Sequence, residues 1–86
     1  LVVLDERGLA PDTPAFRDLL VEGLGAEGRL WWAVGGSWGH DEAVRQRAWR
    51  VVRLSSLVMN HDLARVVLVE QIYRAFTLLH GVPYHH

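Results

Sequence analysis

The sequence predicts an α/β fold: a small parallel sheet whose strands are joined by helical crossovers. Three short apolar runs, in LVVL, RLWWAV and RVV, alternate with stretches of helical spacing in the order β-α-β-α-β-loop-α. Strands separated by helices in this way pair in parallel. The first run is apolar at consecutive positions, as in a parallel strand covered on both faces.

The first strand opens LVVLDERG with no polar lead-in, so the chain is expected to start in mid-fold. In APDTPAFRDLLVEGL, Thr13 is the expected N-cap and Pro14 the first helical residue. Phe16, Leu19, Leu20 and Leu24 then follow at helical spacing, and the helix is expected to end among Gly23, Gly25 and Gly28. RLWWAVGG reads as the second strand. SWGHDEAVRQRAW reads as a glycine-rich loop feeding a helix with Asp41 and Glu42 in its first turn, where acids suit the helix dipole. RVVRLS reads as the third strand. Asn60 caps a last helix that runs to about His80 and stops at Gly81 and Pro83.

That last helix is apolar around most of its circumference, from Leu63 through Val66, Val67, Leu68, Val69, Ile72, Tyr73 and Phe76 to Leu79. A narrow polar side remains around Glu70, Arg74 and Thr77. Such a helix must be covered on more than one face. The sheet covers one; the same helix of a second subunit, in a homodimer, is the expected cover for another.

With 86 residues the chain is expected to form one domain, 1–86, and its stability margin is thin at this length. There is no cysteine, hence no disulfide and no thiolate metal site. All nine basic residues are arginine and the net charge is −1, which gives no global attraction to nucleic acid. Arg45, Arg47, Arg50 and Arg53 cluster, and are expected to form a solvated helix end. The longest apolar run of the last helix, Val66 to Val69, is far short of the roughly 20 residues that span a bilayer. With no basic-then-apolar leader, the expectation is a soluble cytoplasmic protein.

VGGSWGHDEAV offers free backbone N–H groups to an anion, yet it lacks the Gly-Lys-Ser/Thr of a P-loop. Histidines at positions 40, 61, 80, 85 and 86 show no metal-ligand spacing, so no metal is expected. No serine stands in a nucleophile elbow and no carboxylate pair suggests hydrolysis. Loops follow the predicted strands after Leu4, after Val34 and from Leu54 onward, at the edge where open parallel sheets bind ligands. Leu57, Val58 and Met59 in the last of them are apolar. Either they line a pocket for a planar heterocycle such as adenine, or they plug the end of the core.

LDERG at 4–8, VGGSWG at 34–39, LSSLVMNHDLAR at 54–65 and EQIYRAFTLLHGVPYHH at 70–86 together resemble the carboxyl-terminal portion of the RlmH family. These SPOUT-superfamily enzymes use S-adenosylmethionine to methylate N3 of a pseudouridine in large-subunit ribosomal RNA. The resemblance implies a trefoil-knotted α/β domain with the last helix threaded through a loop, a homodimer through that helix, and a ribosomal RNA or ribosome partner. It also implies an amino-terminal α/β part that this chain lacks. By position, the adenosylmethionine contacts would be Leu4, Gly35, Leu54, Ser55, Ser56, Leu57, Val58 and Met59. Arg74, Tyr84 and His85 would position RNA or move a proton. Asn60 stands where the family usually has proline. A minimal knotted dimer without catalytic activity is the alternative.

Overall fold

The computed structural model describes residues 1–34 and 42–84. Its elements keep the expected order: β1 (Val2–Leu9), α1 (Thr13–Glu27), β2 (Trp32–Val34), α2 (Glu42–Arg47), β3 (Arg50–Val52) and α3 (His61–Leu79). The strands form one parallel sheet in the order β2-β1-β3. The first strand is therefore central, and Val2, Val3 and Leu4 are all buried. This is why its run contains no polar position.

Side chains alternate across a strand. Val2 and Leu4 join Phe16, Leu20, Val52, Leu68 and Ala75 in one core, where α1 and α3 pack together. Phe16 and Trp32 meet there with ring centroids 5.8 Å apart. Val3 and Asp5 take the alternate positions, and Arg45 of α2 reaches Asp5 at 3.5 Å. Arg45 is therefore no part of a solvated helix end: its side chain is 16% exposed and pairs with Asp5 and Glu42. Arg50 lies in β3, beyond the helix, over the Trp49 ring.

β1 extends well past LVVL. After Leu4 pairs with Val52, the chain bulges out through residues 5–8 and returns so that Leu9 faces the same Val52. The Leu9 carbonyl accepts the Arg53 N–H at 2.7 Å. The loop expected after Leu4 is thus a bulge inside a strand. Asp5 Oδ1 closes its bend by accepting the Arg7 backbone N–H at 2.9 Å and the Arg7 Nε at 3.1 Å. Gly8 lets the returning limb touch β3, because a Cβ there would stand 2.6 Å from the Val51 carbonyl carbon.

The N-cap of α1 is Asp12, one residue before the expected Thr13; its Oδ1 accepts the Ala15 N–H at 2.9 Å. Both side chains are capping types, and spacing alone does not choose between neighbours. The helix passes through Gly23 and Gly25 and stops at Gly28, whose φ of 75° only glycine adopts without strain. α3 starts where expected, with Asn60 Oδ1 accepting the Leu63 N–H at 2.8 Å.

Along α3, Leu68 and Ala75 are buried while Val66, Val69, Tyr73 and Phe76 are exposed. At about 3.6 residues per turn these four exposed residues fall within roughly 80° of arc. The expected polar side is present, but Thr77 is buried and its hydroxyl donates to the Arg74 carbonyl at 2.6 Å. No helix among the described residues is long and apolar enough to cross a membrane.

Candidate functional site

β3 ends at Val52, and the chain that leaves it forms the carboxyl edge of the sheet. Leu54 stays half-buried against the core. Ser55 Oγ then accepts the Leu57 N–H at 3.0 Å, a serine turn that reverses the chain locally. The turn throws Leu57 and Val58 outward, 76% and 85% exposed. Leu57 and Val58 therefore do not plug the core, which leaves that alternative to the half-buried Met59 alone.

Between this loop and the β1 bulge lies a hollow of about 300 Å³ lined by Glu6, Arg7, Arg53, Ser55, Ser56, Leu57 and Val58. That volume sits at the lower end of roughly 300–1,000 Å³ for small-molecule sites. Of the residues expected from sequence, Ser55, Ser56, Leu57 and Val58 line it. Leu54 and Leu4 lie beneath, in the core, with Leu4 only 8% exposed. Met59 is half-buried and is not part of the lining. Gly35 lies outside the described residues, as do all of residues 35–41.

Sequence reasoning missed Glu6, Arg7 and Arg53. Glu6 and Arg7 belong to LDERG, of which only Leu4 is an expected contact, because a bulge through residues 5–8 leaves no mark in hydropathy. Arg53 is expected in a helix end. The signal that points elsewhere is its place directly after a strand, where its backbone N–H bonds the Leu9 carbonyl.

The hollow has an apolar side, Leu57 and Val58, and a charged side. Arg7 is held by Asp5 through Nε and Nη2. Arg53 differs: its Nε is buried and has no hydrogen-bond partner among the described residues. An unmatched buried donor of this kind costs the full desolvation of the group, about 1–3 kcal/mol or more. The hollow therefore joins an apolar wall to side chains of both charges, Arg7 and Arg53 with Glu6.

Arg74 and Tyr84 stand apart from that lining and form their own cluster. Glu70 Oε1 accepts Arg74 Nε at 3.1 Å and Tyr84 Oη at 3.1 Å, while Gln71 Nε2 donates to Oε2 at 2.7 Å. The Arg74 guanidinium lies 5.1 Å from the Tyr84 ring centroid, and Tyr73 packs edge-on against that ring at 4.8 Å. The Arg74 hydrogen bond holds the Glu70 carboxyl below its ordinary value. The same bond raises Arg74, and the hydrogen bond to Glu70 raises the Tyr84 hydroxyl. Arg74 is thus a fixed cation and Tyr84 a neutral hydroxyl that pins the carboxyl-terminal tail to α3. His85, the other expected catalytic residue, lies outside the described residues. Among the described residues no group of three or more histidines and carboxylates is placed to hold a metal ion.

A family model described as a predicted SPOUT methyltransferase matches residues 1–85. The ribosomal RNA large subunit methyltransferase H of Desulfovibrio desulfuricans is 51% identical over 86 residues, covering 99% of this chain and 55% of that protein. A putative RNA methyltransferase of Arabidopsis thaliana is 47% identical over 87 residues, covering all of this chain and 45% of its own length. The chain spans about half the length of the curated relatives it matches.

Proposed function

The chain belongs to the SPOUT methyltransferase family, and from that premise we propose that it binds S-adenosylmethionine in the hollow beside the 53–59 loop and serves methylation of ribosomal RNA. The observation that carries this reading is the exposed Leu57–Val58 pair at the carboxyl edge of a parallel sheet, facing Arg53 and Glu6. Ligands bind at that edge in open α/β sheets. Leu57 and Val58 would cover the adenine, and Ser55, Ser56 and the loop backbone would supply its polar contacts. Leu4 and Leu54 would support the pocket from beneath. Bound there, adenosylmethionine supplies an electrophilic methyl group.

The relatives named for ribosomal RNA large subunit methylation support a ribosomal RNA substrate; N3 of a pseudouridine as the target and the cytoplasm as the place of action rest on the resemblance of the motifs alone. Arg74 would hold an RNA phosphate, since a guanidinium already fixed by Glu70 loses little freedom on binding. His85 would take the proton from the attacking ring nitrogen, and Tyr84, pinned to Glu70, would set where it stands. The stripe of Val66, Val69, Tyr73 and Phe76 would form the homodimer contact, and α3 the threaded element of a trefoil knot. The chain would act as a single domain over 1–86. Membership of a methyltransferase family favours this reading over a catalytically silent knotted dimer.

Calorimetric titration with S-adenosylmethionine and transfer of its radiolabelled methyl group to ribosomal particles test the two parts separately. Saturable binding with labelled RNA is expected. Absence of heat at high micromolar ligand, in a protein shown to be folded, would end the binding claim; binding without label would end the catalytic one.

A further inference from the structure

Beyond α3 the chain turns at Gly81, with φ 69°, and the Val82 N–H donates to the Thr77 carbonyl at 2.9 Å. The Tyr84 N–H then donates to the Val82 carbonyl at 2.8 Å. These backbone bonds hold the tail only near the end of the helix. Its tip is held by a side chain: the Tyr84 hydroxyl donates to Glu70 Oε1, fourteen residues earlier and about two and a half turns back along α3. The same oxygen accepts Arg74 Nε, while Gln71 Nε2 occupies the other oxygen of the carboxylate. A helix-surface pair such as Glu70 with Arg74 contributes little stability by itself. This one differs because its carboxylate also takes a donor from the returning tail. Glu70 belongs neither to the lining of the hollow nor to the core, so neither depends on it directly.

We propose that Glu70 is a positioning residue for methyl transfer: by accepting from both Arg74 and Tyr84 it fixes the RNA-facing group of α3 and the carboxyl-terminal tail relative to each other. This rests on the reading of Arg74 and the tail as the groups that hold RNA and take a proton, and adds the residue through which they are joined. Glu70 touches neither RNA nor donor; it acts through its two partners. Without it the Tyr84 ring keeps only its edge-on contact with Tyr73 and its place beside the Arg74 guanidinium. Neither contact has the direction of a hydrogen bond, so the ring can slide and carry the tail with it. A displacement of about 1 Å at a reacting group costs on the order of 100-fold in rate.

The test measures methyl transfer from S-adenosylmethionine to ribosomal particles, with the RNA varied, for the protein and for Glu70→Ala, Glu70→Gln, Tyr84→Phe and the double variant Glu70→Ala with Tyr84→Phe. Glu70→Ala should lower kcat by about 10- to 100-fold and raise KM for the RNA less, since Arg74 keeps its charge. Tyr84→Phe removes only the hydroxyl and should lower kcat with KM unchanged. Glu70→Gln keeps the length and an acceptor oxygen, and should retain more of kcat than alanine. The double variant should fall no more than about threefold below the slower single one, because the two substitutions break one contact. Affinity for S-adenosylhomocysteine should stay within about threefold of the parent throughout, as for sites that do not couple. The close contact of the Tyr73 and Tyr84 rings, followed by NMR, should be lost in Glu70→Ala with the helical spectrum intact; if alanine does not fold, the cycle with Glu70→Gln decides. A Glu70 variant with the parent's kcat, losses that multiply in the double variant, a ring contact that survives in a slow Glu70 variant, or lost donor affinity each overturn the inference while the methylation reading stands. A folded parent that transfers no methyl group overturns that reading and this inference with it.

Discussion

Gly8→Ala adds one carbon where the returning limb of β1 crosses β3. The new atom would stand 2.6 Å from the Val51 carbonyl carbon and 2.7 Å from the Val51 oxygen and the Val52 nitrogen. Carbon contacts relax at about 3.5–4.0 Å, so the two limbs must part by about 1 Å. A side chain could rotate away; the backbone of a paired strand cannot. Parting the limbs stretches the 2.7 Å bond from the Arg53 N–H to the Leu9 carbonyl, and a further ångström takes it past about 3.5 Å, beyond hydrogen-bonding reach. Overpacking at about 1–3 kcal/mol and one lost bond at about 0.5–1.5 kcal/mol are offset by roughly 0.4–1 kcal/mol from the stiffer unfolded chain. The net is about 2 kcal/mol, or a fall of roughly 8–16 °C in Tm for a domain of this size.

Urea unfolding followed by tryptophan fluorescence reads this directly, with a thermal melt beside it. Gly25→Ala is the matched control. That glycine is inside α1 with nothing within 4 Å of an added Cβ. Alanine there should stabilise by about 0.5–1 kcal/mol, because the helix interior disfavours glycine and no contact opposes the change. One chemical substitution is thus expected to act with opposite sign at two positions. Gly8→Ala melting within about 2 °C of the parent, less than a 1 kcal/mol loss would give, refutes the close approach of the two limbs.

Asn60→Ala removes the cap on α3 and should cost about 1 kcal/mol, read as a fall of roughly 4–8 °C in a thermal melt. Asn60→Pro should recover about half of that, since the φ of −70° at this position already suits proline; a proline variant less stable than the alanine one would contradict the geometry. Tail docking should depend on pH at both ends. The Glu70 carboxyl is held below its ordinary 4.5, so its contribution is complete above that value and is lost as pH falls through the lowered one. The Tyr84 hydroxyl is raised above its ordinary 10.0, so its contribution is complete below that value and is lost as pH rises through the raised one. Tyr84 ring resonances followed across the pH range check this, and an acid step at or above 4.5 would contradict it. Val69→Glu places a charge in the exposed α3 stripe and should convert a sedimenting dimer to monomer with the helical spectrum intact; a parent that already sediments as a monomer at high micromolar concentration rules out the dimer contact.

The element order was legible because each apolar run has one explanation. Val2, Val3 and Leu4 have no polar alternation because their strand is central, and Asn60 caps α3 because its side chain reaches Leu63 N–H. Half of the site was legible through the Ser55–Val58 loop. Its other half was not, since the β1 bulge depends on contacts distant in sequence: Asp5 with Arg45, Gly8 with Val51, Leu9 with Arg53. Local patterning carries no trace of a register that doubles back on Val52. The fate of Leu57 and Val58 was also undecidable locally, because an apolar pair reads the same whether it faces a core or a ligand.

Three features of the single chain carry unmet demands. Leu57 and Val58 expose apolar surface at the sheet edge, α3 exposes a stripe on its far side, and Arg53 buries a donor with no acceptor among the described residues. At roughly 0.05–0.15 kcal/mol per residue, a domain of this length has a margin of about 4–13 kcal/mol to carry such costs. A ligand at a hundred times its Kd adds about 2.7 kcal/mol by mass action, a sizeable share of that margin. Under the proposed reading, donor binding would cover the first feature, while a second copy would cover the stripe. Folding, donor binding and dimerisation are then one linked equilibrium, and the residues that weaken the isolated chain are those that make it respond to its ligand.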